Sequence, residues 1–219
     1  MTSTEELKRL AAQLAHPTGQ VGKDISRMME QTNGHMTKQA IHSLSLQTGK
    51  HVLELGHGNA AHVTTLLNAY PGLTYVGLDV SETMHQEALF KNREAVEKGN
   101  ASFLLYDGEN LPFKEMIFDA IFLVNTIYFI QNPKRFIRDL SQLLRPAGEL
   151  AISFADRSFM ESLSFTAYGF ILYEETELLQ LADKELLEFR AGHHGKEEVI
   201  SKAGDRVNRH FTTLVWTRK

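Results

Sequence analysis

The chain opens with apolar residues at helical spacing. In "TSTEELKRLAAQLAH", Leu7, Leu10, Ala11 and Leu14 share one face, and Thr2/Glu5 and Ser3/Glu6 both have capping-box spacing. "PTGQVG" (17–22) predicts a break, and a second helix runs from Lys23 to Gln31. "TNGH" punctuates that helix, and a third runs from about Thr37 to Leu46. Then the period changes. "HVLEL" (51–55) reads as a strand, "AAHVTTLLNAY" as a helix starting near Ala60, and "TYVGLDV" (74–80) as a strand. "SETMHQEALFKNREAVEKG" predicts a helix with Ser81 as N-cap and Gly99 as its stop. "SFLLYD" (102–107) and "FDAIFLV" (118–124) are strands, and "NPKRFIRDLSQLLRPAG" is a helix with Pro133 in its first turn and a Pro-Ala-Gly terminator. "ELAISF" (149–154) is a fifth strand.

Strands alternating with helices imply an α/β fold: a mainly parallel sheet with helices on both faces. The four central strands are nearly continuous apolar runs, as required when both faces are covered. After residue 170 the pattern predicts a helix in "EETELLQLAD", a strand in "ELLEFRAG" and a terminal strand in "RHFTTLVWTRK". Between the last two, "KEEVISKAGDRVN" reads as a polar loop.

Composition narrows the function classes. The 219 residues carry a formal charge of −4, which gives no electrostatic reason to expect a nucleic-acid partner. There are no cysteines, so disulfides, thiolate metal sites and cysteine nucleophiles are excluded. The amphipathic N-terminus is unlike a secretory signal, and the longest apolar stretch, "AIFLVNTIYFI", is 11 residues against about 20 for a membrane span. The expectation is a cytoplasmic protein without membrane contact. The paired His193 and His194 have no ligand partners at useful spacing and read as a solvated turn, so no metal is expected.

The chemistry concentrates in "VLELGHGNA" (52–60). Glycines after a strand let a ligand approach the main chain, and the following helix presents free N–H groups to an anion. Gly56-His57-Gly58-Asn59-Ala60-Ala61 fits the dinucleotide pattern G-x-G-x-x-G/A, with Asp79 placed to bond a ribose. Glu54 favours another cofactor. It is an acid on an otherwise apolar strand, where it would repel a pyrophosphate but pair with an ammonium. The amino-acid end of S-adenosylmethionine supplies an ammonium for Glu54 and a carboxylate for the helix N-terminus.

These segments resemble the class I S-adenosylmethionine-dependent methyltransferases, and most closely their ubiquinone/menaquinone-type, small-molecule group (methyltransferase type 11). "VLELGHGNA" is similar to their E/D-x-G-x-G-x-G motif, with Ala60 at the third glycine. "YVGLDVSETM" resembles the strand whose acid, Asp79, binds ribose and whose next residue, Val80, packs on adenine. "YDGENLPF" is similar to the segment whose acid, Asp107, meets the adenine amine, with Gly108 and Glu109 beside it. In "FDAIFLVNTIYFI" the resemblance implies that Asn125 borders the methionine end, and "LLRPAGEL" resembles the link into strand five, with Ala147 replacing a glycine. The set spans about residues 48–155. Steps of 25, 28 and 18 residues from Glu54 to Asp79, Asp107 and Asn125 put each at a strand's carboxyl end.

The resemblance implies a single Rossmann-like, doubly wound domain with a seven-stranded sheet and a C-terminal antiparallel strand. Residues 1–47 would form a helical cap or lid, 48–155 the cofactor core and 156–219 the acceptor side and the end of the sheet. It implies in-line methyl transfer to a small-molecule acceptor. An NAD(P)-dependent oxidoreductase and a non-catalytic cofactor-binding module are the alternatives. Candidate general bases are His57, Tyr128, His16 and His35. "RSFMESLSFTAYGFILY" carries Phe159, Met160, Phe165, Tyr168, Phe170 and Tyr173, which either line an apolar acceptor pocket or pack on strand five. Arg157 is a candidate for an anionic acceptor or a surface residue.

Overall fold

The computed structural model describes residues 3–114, 116–200 and 206–219, excluding the side chain of Ile200. Among these, seven strands form one sheet: β1 (His51–Leu55), β2 (Thr74–Asp79), β3 (Ala101–Leu105), β4 (Phe118–Val124), β5 (Leu144–Ala155), β6 (Leu187–Ile200) and β7 (Arg206–Arg218). Their order is β3-β2-β1-β4-β5-β7-β6. The strands from β3 to β5 run parallel, and β7 lies antiparallel to both β5 and β6. The chain leaves β1 toward β2 and β3, then returns to build β4 on the other side. The crevice between the carboxyl ends of β1 and β4 is therefore the switch point where ligands bind in such sheets.

The helices are α1 (Thr4–Ala15), α2 (Gly19–Ser43), α3 (Val63–Ala69), α4 (Glu82–Lys91), α5 (Arg93–Glu97), α6 (Pro133–Leu143), α7 (Arg157–Glu161) and α8 (Glu175–Leu181). Two apolar cores flank the sheet. One joins Leu53, Ile121 and Ile152 to Phe136, Ile137 and Leu140 of α6 and to Leu178 of α8. The other joins Val52, Phe122 and Val215 to Ala40 and Ile41 of α2, Leu66 of α3 and Ala88 of α4.

Several boundaries follow the sequence. Ser3 and Glu6 form the full capping box of α1; Thr2 lies outside the described residues. Ser81 Oγ accepts from Met84 N at the start of α4, and Asn132 caps α6 with Pro133 in its first turn.

Others differ for identifiable reasons. "TNGH" does not interrupt α2, which runs unbroken for 25 residues. An interior glycine costs about 1 kcal/mol, whereas burying Met36 and Ile41 stabilises by roughly 1.5–3 kcal/mol each. Packing wins over local propensity. The helix after β1 starts at Val63, not Ala60, because Ala60 adopts a positive φ of 50° and residues 57–62 form turns. Asn92 separates α4 from α5, with its side chain donating to the carbonyls of Ala60 and Ala88. The Pro-Ala-Gly segment lies within β5, at a register irregularity opposite Phe118 and Ala120, where Ala147 has φ 62°. The expected polar loop at 196–208 is mostly ladder: β6 continues to Ile200 and β7 begins at Arg206, while 201–205 lie outside the described residues. His193 and His194 sit in β6 rather than in a turn, and His194 Nε2 meets Glu175 Oε2 at 2.8 Å.

Candidate active site

The glycine loop leaves β1 where no side chain fits. Gly56 has φ 72°, and a Cβ there would lie 2.4 Å from Thr126 Oγ1, which donates to the Leu55 carbonyl. Gly58 has φ 55°, and a Cβ there would meet nothing within 4 Å, so this turn faces open space. Asp79, at the end of β2, holds the loop in place. Its Oδ2 accepts from Gly58 N and its Oδ1 from Ser81 N, each at 2.9 Å. One buried carboxylate thus ties the glycine loop to the start of α4.

Glu54 is buried and already paired. Its Oε2 accepts from Tyr75 OH at 2.5 Å and lies 2.7 Å from His62 Nε2. Both contacts fall on Oε2, leaving Oε1 without a partner among the described residues, and Glu54 lines the cavity. Burial opposes charge on His62, but the Glu54 carboxylate outweighs it and raises the imidazole pKa above 6.5. The phenol of Tyr75 is pushed up by burial and by the same carboxylate.

Val80 and Gly108 face one another: a Cβ on Gly108, which has φ 88°, would lie 3.3 Å from Val80 Cγ1. Asp107 is exposed and closes a turn. Its Oδ1 accepts from Asn110 N and Glu109 N, and Asn110 Nδ2 donates to its Oδ2. Those bonds, led by Asn110, lower its pKa to about 2. Asn125 follows β4 with φ 55°, and its Oδ1 accepts from Tyr128 OH at 3.0 Å and Ala155 N at 3.3 Å.

Glu54, Gly56, Gly58, Asp79, Val80, Asp107, Gly108 and Asn125 all line one cavity of about 420 Å³. Residues of α1 and α2 cover it, including Leu14, Ser26, Met29, Glu30 and Asn33. A second, largely apolar cavity of about 130 Å³ adjoins it and shares Leu14, Met29, Asn33, Asn125 and Phe129 as wall. Phe159, Met160, Phe165 and Phe170 line this smaller space. Tyr168 instead lies under Lys8 Nζ at 5.8 Å, and Tyr173 belongs to the core.

The candidate bases fare differently. His57 is packed edge-on against Phe103 with its ring beside Gly77, and its Nδ1 donates to the Gly58 carbonyl. Its Nε2 is buried without a partner, and burial lowers its pKa, so the ring is a neutral support for the loop rather than a reachable base. Tyr128 OH is buried between Asn125 and Ala155, and burial raises its pKa, which keeps the phenol protonated. His16 lies at the rim of the larger cavity, whereas His35 lines neither and stands 3.6 Å from Glu197. Arg157 is taken up by Glu174, Glu177 and the Leu172 carbonyl, which leaves it a structural residue. Among the described residues no cluster could hold a metal.

Three wall or support residues gave no signal in the sequence: Tyr75, Asn33 and Arg209. Each meets its partner across the fold, and no local spacing marks such a contact. His62 carried one cue, a histidine eight positions after a buried acid.

A switch-point crevice, a glycine loop and acids near the strand ends define an α/β protein with one cavity at the carboxyl edge of its sheet. Residues 53–152 match the family described as Methyltransferase domain. Among curated proteins, the chain is 28% identical over 179 residues to demethylmenaquinone methyltransferase of Tropheryma whipplei (strain Twist), covering 82% of this chain and 70% of that one. It is 26% identical over 125 residues to O-methyltransferase resE of Aspergillus sclerotiorum, covering 57% of this chain. The match spans only about half, 47%, of the latter protein. A geranyl diphosphate methyltransferase, solved in complex with GPP and sinefungin, shares the fold with a TM-score of 0.68 at 11% identity, over 85% of this chain and 79% of that one.

Proposed function

We propose that the protein binds S-adenosylmethionine in the larger cavity and transfers its methyl group, by in-line displacement, to a small-molecule acceptor in the smaller one. The observation that carries this reading is the shared wall of the two cavities at Asn33 and Asn125. It would bring a donor and an acceptor end to end.

The residues fit the cofactor. Glu54 Oε1 has no partner among the described residues and suits an ammonium. The open turn at Gly58 admits a ligand against the main chain. Asp79 keeps lone pairs for ribose hydroxyls, Val80 and Gly108 together offer one wall for a flat base, and Asp107 can accept from its amine. When bound, S-adenosylmethionine supplies an electrophilic methyl on a sulfonium. The protein's part is then alignment and exclusion of water, and α1 and α2 over the cavity serve both. The apolar wall of Phe159, Met160, Phe165 and Phe170 selects an acceptor with a hydrophobic body.

Calorimetry tests the reading directly. S-adenosylmethionine and S-adenosylhomocysteine should bind, and NADH and NADPH should give no heat of binding. The reverse preference would overturn it.

A further inference from the structure

The junction between the cavities is built to donate a hydrogen bond, and Asn33 carries a donor there beside the guanidinium of Arg209. Asn33, in the middle of α2, lines both cavities. Its Oδ1 accepts from Asn125 Nδ2 at 3.1 Å and from Arg209 Nη1 at 3.2 Å. A guanidinium has only donors, so Arg209 fixes the orientation of the Asn33 amide: oxygen toward Arg209, NH2 away from it. Arg209 cannot readily swing aside. It is 6% exposed, its Nη2 donates to Glu197 Oε1 at 2.7 Å and to the Thr32 carbonyl, and its Nε donates to the same Glu197 oxygen.

The neighbouring polar atoms are already committed. Asn125 Nδ2 faces Asn33 Oδ1 and Met36 Sδ, and Tyr128 OH donates to Asn125 Oδ1 and the Ala155 carbonyl. Asn33 Nδ2 alone in this group has no partner among the described residues. Thr32 donates back into α2, to the Met28 carbonyl. Among the described residues no Asp, Glu or His lines the smaller cavity.

Resting on the reading above, we infer that Asn33 is the acceptor-positioning residue, its amide NH2 donating to an oxygen of the acceptor, and that the acceptor is an oxygen acid already ionised in solution near neutral pH, such as an acidic phenol or enol, bound as its anion with its proton left to water. A wall with a free donor and no base favours an atom that arrives with lone pairs and needs no deprotonation in place. An ammonium has only donors and would leave the Asn33 NH2 unmatched. An apolar molecule of the same shape would leave that donor unpaired in a dry site, which costs affinity.

Asn33→Asp separates this role from a structural one. The aspartate keeps an oxygen for Arg209 and Asn125 and replaces only the free NH2. The probes are 4-nitrophenol and its near-isostere 4-nitrotoluene, each titrated with and without saturating S-adenosylhomocysteine. The wild type should bind 4-nitrophenol at least tenfold more tightly than 4-nitrotoluene and show the absorbance of the bound phenolate. Asn33→Asp should bring the two probes within threefold of each other and remove the phenolate absorbance that binding adds to that of the free probe. Equal binding of both probes by the wild type, no binding of 4-nitrophenol, or retained preference in Asn33→Asp would each overturn the inference. Failure of S-adenosylhomocysteine to bind would instead strike the cofactor reading, and the probe preference measured without it would still decide the role of Asn33.

Discussion

His62 Nε2 stands 2.7 Å from Glu54 Oε2, so the acid of the glycine motif already has a titratable partner inside the protein. The pair sits beside Tyr75, with the Phe122 ring edge-on to His62 and Glu30 near enough to favour the imidazolium. Because the His62 pKa is raised on folding, the pair stabilises the protein fully below about pH 6.5, and that contribution is lost as pH rises through the raised value. Thermal denaturation of wild type and His62→Gln from pH 5 to 9 should show the largest gap at the acid end of that range, closing toward pH 9. A gap independent of pH would mean that the imidazole is neutral throughout.

Asp79→Ala should cost about 1.5–3 kcal/mol of stability, because two buried N–H groups lose a charged acceptor. It should also weaken S-adenosylhomocysteine binding at least tenfold, more than Asp107→Asn does, since Asp107 is exposed and an amide can still accept a bond. Chemical denaturation and calorimetry on the two variants check both parts. A stable Asp79→Ala that binds normally would reduce the carboxylate to a turn support.

The two alanines at glycine positions both hold a positive φ, 50° at Ala60 and 62° at Ala147. An L-residue there costs roughly 1–2 kcal/mol, against about 0.5–1 kcal/mol of extra chain entropy for glycine. Ala147 is exposed, so Ala147→Gly should stabilise by about 0.5–1 kcal/mol. Ala60 is fully buried, and losing its methyl costs about 0.8 kcal/mol, so Ala60→Gly should be close to neutral. Urea unfolding of the two variants side by side tests the contrast.

Hydrogen exchange should divide α2. Its second half carries Met36, Ala40 and Ile41 in the core, and amides there should be protected with or without ligand. Its first half and α1 cover the cavities and are tied down at their junction, where Ser81 Oγ donates to the Pro17 carbonyl and Gly19 N donates to Thr83 Oγ1. Amides of residues 4–32 should slow sharply with S-adenosylhomocysteine if this segment closes as a lid. Equal protection in both states would make it a fixed cap.

The α/β core was readable because its signals are local. Each of the first five strands is an apolar run, and Glu54, Asp79, Asp107 and Asn125 stand at or near strand ends by simple spacing. The N-terminal region was not readable to the same degree. Thr32-Asn33-Gly34 looks like punctuation, but α2 passes through it because the burial that holds the helix comes from β4, β5, β6 and β7, far along the chain. That misread segment contains Asn33, which joins the two cavities. The pairing of Glu54 with Tyr75, and the seat of Arg209, depend on sheet neighbours that no window of sequence brings together.

The insertion of β7 between β5 and β6 also sets an order of assembly. The glycine loop, Asp79 and Asn125 all precede β5, so the cofactor half is complete in chain order well before residues 206–218 exist. Until those residues emerge from the ribosome, β5 presents an open edge carrying Leu150, Ile152 and Phe154, the kind of strand that recruits the wrong partner. Arg209, which orients Asn33, arrives with the same late strand. A nascent chain stalled before β7 would hold a finished switch-point crevice beside a smaller cavity that still lacks Arg209.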